Sequence, residues 1–218
     1  MNYYLLKALD LLIIIPATIA WLRFSKINSI YYPFLFSIWI TTLDNIYGGI
    51  IVEFGYYNIV DFNIWVLLNA YIILWLFKKW NIFDQAKRLY QFLLILFGFA
   101  WMLETILLSK LTLGFNSYFR ILSSFVFILM SISTINFLLM RERKSLVKNP
   151  MFIICCTFVL FNTITVLSEA FFASNLQLGD QFRINVDRMI VFTGVLSNLV
   201  YAITILWMPK KQAFILQY

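Results

Sequence analysis

Three acids lie inside long apolar stretches of this chain: Asp44, Glu104 and Glu169. An acid at the centre of a membrane helix costs about 2.5–3.5 kcal/mol on insertion scales, so such a residue is a functional candidate by default. Paired carboxylates can divide the roles of general acid and base, and their oxygens can hold a divalent cation. They can also pair with a buried cation, and Arg120 lies in another apolar stretch. The rise of an α-helix puts Asp44 about 12 Å, and Glu104 and Glu169 about 7 Å, from the near end of their stretches.

Polar residues recur around these groups at helical spacing. Thr41, Asn45 and Gly48 accompany Asp44, with Gly48-Gly49 open to close helix approach, and Asn162 and Thr165 precede Glu169. Asn116, Ser123, Ser124, Ser131 and Thr134 run with Arg120, while Asp187, Gly194, Asn198 and Tyr201 form a last stripe. Asn69 stands mid-depth in its stretch, and Asp10 has Lys7 one turn away. If the faces converge, Asp10, Asp44, Asn69, Glu104, Arg120, Asn162, Glu169, Asn198 and Tyr201 line a polar ligand cavity, with Arg183 or Arg188 as further countercharges. The plainer alternative is interhelical hydrogen bonding and ion pairing, each contact contributing about 0.6–2 kcal/mol. Glue is favoured for the serines, threonines and asparagines, and a cavity for the three acids.

Composition removes several chemistries. The chain has no histidine, which excludes Ser–His and Cys–His nucleophile pairs and imidazole zinc or haem sites. Cys155 and Cys156 are adjacent, and a bridge between neighbours is strained, so both are expected free and buried. No catalytic or metal-ligating residue is therefore assigned.

The elements that carry these residues must be membrane helices. The 218 residues are 62% hydrophobic and 12% charged, with mean hydropathy +0.86, against about 25% charged in soluble domains. About 20 residues of helix cross a hydrocarbon core of about 30 Å. Seven segments meet that length: 4–22, 30–52, 60–77, 89–109, 117–140, 151–173 and 188–208. The expected fold class is an all-α polytopic bundle of seven transmembrane helices, with residues 1–218 as one transmembrane domain. Residues 11–20 could pass for a signal-peptide core, but Trp21-Leu22-Arg23-Phe24 offers no small-residue cleavage site, so the first segment is read as a mature helix.

Orientation follows the basic residues. Of the 17 lysines and arginines, twelve fall on one side: Arg23, Lys26, Lys78, Lys79, Lys87, Arg88, Arg141, Arg143, Lys144, Lys148, Lys210 and Lys211. Of the acids, only Asp84 and Glu142 join them. The basic side is expected to be cytoplasmic, giving an outside N-terminus and a cytoplasmic C-terminus in a bacterial cytoplasmic (inner) membrane. Tyr3, Tyr4, Tyr31, Tyr32, Tyr56, Tyr57, Trp80, Tyr90 and Trp207 lie near segment ends, as interfacial anchors do. The net charge of +7 is spent on membrane-flanking clusters, so membrane lipids are the expected partner and nucleic acid is not.

Ile73-Leu74-Trp75-Leu76-Phe77-Lys78-Lys79 and Ile205-Leu206-Trp207-Met208-Pro209-Lys210-Lys211 close the third and seventh segments alike. That pairing raises a parallel three-plus-one-plus-three repeat, which resembles the plan of sugar transporters and PQ-loop proteins. The Pro-Gln dipeptide of those families is absent, so no substrate carries over. Helix count and orientation resemble seven-helix receptors and microbial rhodopsins, yet 188–208 holds no lysine for a Schiff base, so retinal and other cofactors are not expected. The Gly-x-Gly-Asp motif of intramembrane aspartyl proteases is also missing. Asn149-Pro150-Met151-Phe152 and Asn198-Leu199-Val200-Tyr201 resemble elements of small uncharacterised bacterial seven-helix proteins over the last three helices; that resemblance implies no activity.

The function expected from these residues is binding of a small molecule or lipid in an outward-facing polar cavity, receptor-like or carrier-like. One alternative is a structural or regulatory subunit bound to another membrane protein. The other is a membrane-embedded hydrolase using Asp44 with Glu104 or Glu169, which makes binding rather than catalysis the favoured class.

Overall fold

The computed structural model describes residues 9, 11–54, 59–84, 86–107, 115–141, 146–173 and 180–211. Among them are seven α-helices: α1 (Ile14–Arg23), α2 (Tyr32–Glu53), α3 (Ile59–Lys79), α4 (Lys87–Leu107), α5 (Ser117–Arg141), α6 (Pro150–Ala173) and α7 (Asp180–Trp207). Six of these, α2 to α7, are long and apolar enough to cross a membrane. The shorter α1 follows a 3-10 turn over Leu11–Ile13.

The four prolines punctuate this order. Pro16, Pro33 and Pro150 sit in the first turns of α1, α2 and α6, where a missing N–H breaks no helical bond. Pro209 follows the end of α7. Asn149 caps α6, its side chain accepting from the Met151 N–H at 2.9 Å. α3 ends in a Schellman motif: Asn81 takes φ 62°, its N–H donates to the Lys78 carbonyl, and the Ile82 N–H donates to that of Phe77. Asparagine is among the few side chains that visit this left-handed region readily. α7 begins about two turns before its expected start; the added turns carry Gln181, Asn185 and Asp187, whose polarity hides a helix from a hydropathy reading.

The helices form an up-and-down ring. Each packs on the next in chain order and α7 closes back on α1, with α5–α6 and α2–α3 the most extensive pairs. Its core is aromatic and aliphatic: Phe34, Leu74, Phe77, Phe97, Phe119, Ile154 and Ile205 are fully buried. Between α3 and α4 the Tyr71 hydroxyl donates to the Leu94 carbonyl at 3.2 Å. Gly98 makes room for it, since a Cβ there would stand 2.7 Å from the Tyr71 oxygen.

The outward surface is apolar and the interior holds the polar groups, the reverse of a water-soluble bundle. On α4, Phe92, Ile95, Phe99, Met102 and Ile106 form an exposed stripe at alternating spacings of three and four. Asn63, Asn116, Ser131, Thr134 and Glu169 are buried. Continuous exposed apolar surface of this kind is unfavourable in water, and fits a multi-pass membrane protein with lipid as its solvent.

One end of the ring gathers the basic residues. Arg23 Nη1 donates to the carbonyls of Ile205 at 3.0 Å and of Leu206, filling acceptors left open at the C-terminus of α7. Beside it Ile27 and Lys210 form an antiparallel bridge, framed by Asn28 N–H to Pro209 O at 3.1 Å and Lys211 N–H to Lys26 O at 2.8 Å. Lys211 lies over the Tyr32 ring and Lys78 over the Tyr90 ring. The sequence offers no motif for this clasp, which ties the α1–α2 turn to the segment after α7.

Candidate functional site

The opposite end collects the acids around the start of α5. Its first anchor is Asn63, fully buried in the second turn of α3. The Asn63 side-chain oxygen accepts from the Asn116 N–H at 3.0 Å, while its backbone carbonyl accepts from Trp101 Nε1 of α4 at 2.9 Å. The Asn116 amide then donates to Thr105 Oγ1 at 3.0 Å. Three elements are thereby fixed to one another just before α5 begins.

Glu104 completes the anchor. Its two carboxylate oxygens accept from the backbone N–H groups of Tyr118 at 3.1 Å and Phe119 at 2.7 Å. The first N–H groups of a helix have no intrahelical partners and carry partial positive charge. Glu104 is thus a capping carboxylate delivered from a neighbouring helix, which accounts for an acid buried in an apolar bundle.

With α5 held in this way, Arg120 is placed in its first turns, where it faces several helices. It forms an ion pair with Glu169 near the end of α6. Its guanidinium carbon lies 5.0 Å from the centre of the Phe62 ring of α3, and Phe62 packs edge-on against Phe115. Asp44 of α2 is within electrostatic reach of Arg120 and of Asp61 in the first turn of α3. The Arg120 side chain is 25% exposed and that of Glu169 7%, so the pair is sheltered but reachable.

Asp44 is the least satisfied of these groups. Its Oδ1 is buried and makes no hydrogen bond, and the same holds for Asn116 Oδ1. Leaving a buried acceptor unfilled costs about 1–3 kcal/mol, more when it is charged. Several donors here are engaged: Arg120 Nη1 on Glu169, the Asn116 N–H and amide on Asn63 and Thr105, and the Tyr118 and Phe119 N–H groups on Glu104; Arg188 Nε of α7 is a buried donor that makes no hydrogen bond.

No protein-family model, curated protein or solved structure matches this chain. Its function is argued from the cluster itself.

The nine residues expected to line one cavity divide into two groups. Asp44, Glu104, Arg120 and Glu169 meet around the start of α5, Glu104 through its cap on the helix that bears Arg120. Others serve elsewhere. Asn69 accepts from Ser37 Oγ at 2.6 Å, joining α3 to α2. The Asn162 amide donates to the Phe158 carbonyl of its own helix. Tyr201 packs edge-on against Phe34 and Phe158. Asn198 is half-buried in α7, and Asp10 lies outside the described residues.

Nine hydroxyls behave differently from interhelical glue. Thr41, Thr42, Thr134, Thr157, Thr163, Thr165, Ser168, Thr193 and Thr204 each donate to the carbonyl four residues earlier in the same helix. This self-satisfaction lets a hydroxyl sit in an apolar bundle without an interhelical partner. Ser131 and Thr134 are small residues of α5 that lie against Cys155 of α6, where the two helices pack extensively. Cys155 is buried against Ser131 and Thr134, whereas Cys156 is exposed on the outer face, contrary to the expectation that both are buried. Sequence reasoning missed the parts played by Asn63, Phe62, Asp61 and Trp101; an asparagine in the second turn of an otherwise apolar helix was the available signal.

Proposed function

We propose that this chain is a seven-helix membrane protein of receptor-like or carrier-like type, which binds a small molecule or lipid at the Asp44–Arg120–Glu169 cluster. The basic ends of the helices lie in the cytoplasm and the cluster opens on the outer side of the cytoplasmic membrane, following the bias of lysine and arginine. The seventh span of this reading is the segment 4–22, whose described part holds α1.

One observation carries the reading: a partly accessible ion pair, Arg120 with Glu169, beside a buried carboxylate oxygen of Asp44 that has no partner. A bundle built for stability alone gains nothing from an unfilled charged acceptor. A binding site does, because the ligand fills it.

Catalysis is less well supported. Both oxygens of Glu104 are engaged with backbone N–H groups and Glu169 is held by Arg120, so neither is free to activate water.

The test is a thermal-stability screen of the full-length protein in detergent against a broad panel of small molecules and lipids. Ligands of the cluster raise the melting temperature of wild type, and Asp44→Asn or Glu169→Gln changes that response. A panel that stabilises nothing would remove the support for a binding protein. Among hits, uptake into protein-loaded vesicles marks a carrier, and binding without uptake marks a receptor.

A further inference from the structure

We propose that the basic end of the bundle holds one anionic phospholipid, its phosphodiester on Lys26, Lys210 and Lys211 and its glycerol and upper acyl chains against the rings of Trp21, Tyr32 and Trp39. This site lies at the end opposite Arg120 and does not depend on what the acidic cluster binds.

The clasp between the α1–α2 turn and the segment after α7 brings lysines from distant parts of the chain to one edge. Ile27 is bridged to Lys210, and the Lys211 N–H donates to the Lys26 carbonyl at 2.8 Å. Lys26, Lys210 and Lys211 are exposed, and among the described residues none of them forms an ion pair. Asp84, the acid described at this end, stands apart in the turn between α3 and α4. A lysine ammonium offers three donors and no acceptor, so a ligand of this edge must bring acceptors and negative charge. A zwitterionic headgroup carries an ammonium of its own, which would enter against the excess.

An aromatic face lies next to these lysines and runs from α1 through α2 to α3. Trp21 meets Trp39 edge-on with ring centres 5.8 Å apart. Phe24 stacks on Tyr32 at 4.5 Å, and Phe36 stacks on Trp75 at 6.0 Å. Phe24 and Phe36 both pack against Trp39 as well, which joins the rings into one surface. Trp39 is itself held by its Nε1, which donates to the Ala17 carbonyl of α1 at 3.1 Å. The helical rise puts the rings of α1, α2 and α3 within about 11 Å of the helix ends, a depth that suits glycerol and the upper acyl carbons. Trp21 is 73% exposed and forms an open rim.

One contact links charge and wall: Lys211 Nζ lies 5.2 Å from the centre of the Tyr32 ring. Interfacial rings alone anchor a bundle to the headgroup zone at large. Rings and unpaired cations in one place fit a single anionic lipid, whereas a free phosphate would use the lysines and leave the rings idle.

The test uses the full-length protein in detergent with three probes: dioleoylphosphatidylglycerol, dioleoylphosphatidylcholine and glycerol 3-phosphate. Melting temperature and the number of lipids retained in native mass spectrometry are the readouts. The phosphatidylglycerol alone is expected to raise the melting temperature in a saturable way and to stay bound as a single copy. Lys26→Gln, Lys210→Gln and Lys211→Gln together should weaken its apparent affinity about tenfold or more. Lys148→Gln, between α5 and α6 on the far side of the ring, removes a charge from the same end and should leave it unchanged. Trp21→Leu keeps an apolar side chain and should weaken it severalfold. Should the triple variant fail to fold, Lys211→Gln carries the test, with an expected loss of about fivefold.

Equal stabilisation by the phosphatidylcholine, or no response to any probe, would overturn the proposal. An equal effect of glycerol 3-phosphate, or unchanged binding in Trp21→Leu, would overturn the aromatic wall and with it the lipid. Binding that survives the lysine substitutions, or falls as far in Lys148→Gln, would show diffuse surface charge in place of a site.

Discussion

Arg120 of α5 and Glu169 of α6 form an ion pair at the end of the bundle opposite its basic face. Phe62 of α3 flanks the guanidinium, and Asp44 of α2 lies within electrostatic reach. The helix bearing Arg120 is itself capped by Glu104 of α4. Five consecutive helices thereby converge on one arginine. In a medium that hydrates no charge, such convergence is how scarce ionised groups are accommodated.

Removing one member of the pair is expected to cost more than removing both. Arg120→Gln strands Glu169 as a buried, uncompensated charge, and Glu169→Gln strands Arg120; each should lower unfolding stability by up to about 3–5 kcal/mol. The double variant should recover part of that loss. Equilibrium unfolding in detergent measures all three, and additive losses would contradict the pairing.

Glu104 should behave as a cap and not as a ligand group. Glu104→Ala is expected to destabilise by about 1–2 kcal/mol, as loss of an N-terminal cap does, and to speed hydrogen exchange at the Tyr118 and Phe119 amides. Unchanged exchange at those amides would count against the capping role.

The turn after α3 makes a prediction about backbone alone. Asn81 at φ 62° should tolerate glycine at little or no cost. A β-branched residue such as valine should cost at least about 1–2 kcal/mol, from the clash of Cβ in the left-handed conformation. Equal melting temperatures for Asn81→Gly and Asn81→Val would show that the conformation is not held.

At the basic end, Arg23→Met keeps the aliphatic stem of the side chain and removes both hydrogen bonds to α7. About 1–3 kcal/mol is expected for the loss, because hydrogen bonds to charged groups are the stronger kind. Proteolysis should begin nearer the C-terminus in this variant, since Ile27 and Lys210 would no longer be held in register. An unaltered cleavage pattern would mean that the bridge holds without Arg23.

Much of this architecture was legible in the residues. Long apolar runs end where the prolines and basic pairs stand, and α2 to α6 fall within two residues of their expected bounds wherever the chain is described. The beginning of α7 was hidden because its first turns are polar and read as loop. For the site, rarity was the signal: Asp44, Glu104, Arg120 and Glu169 stood out because a charge in oil needs a reason. Their division of labour was not legible, because capping of α5 by Glu104 joins residues of two helices whose packing no local pattern encodes. The same is true of Asn63, whose partners Asn116 and Trp101 lie far along the chain. Which hydroxyls act as interhelical glue was not legible, because a threonine bonding back to its own helix leaves the same sequence pattern as a hydroxyl that reaches across, as Ser37 does to Asn69.

The account turns on Asp44 and Arg120 sharing one electrostatic site. A double-mutant cycle of Asp44→Asn and Arg120→Gln, read as unfolding free energy of the full-length protein in detergent, measures that sharing directly. A coupling of about 1 kcal/mol or more is predicted, and additivity within about 0.3–0.5 kcal/mol would contradict it.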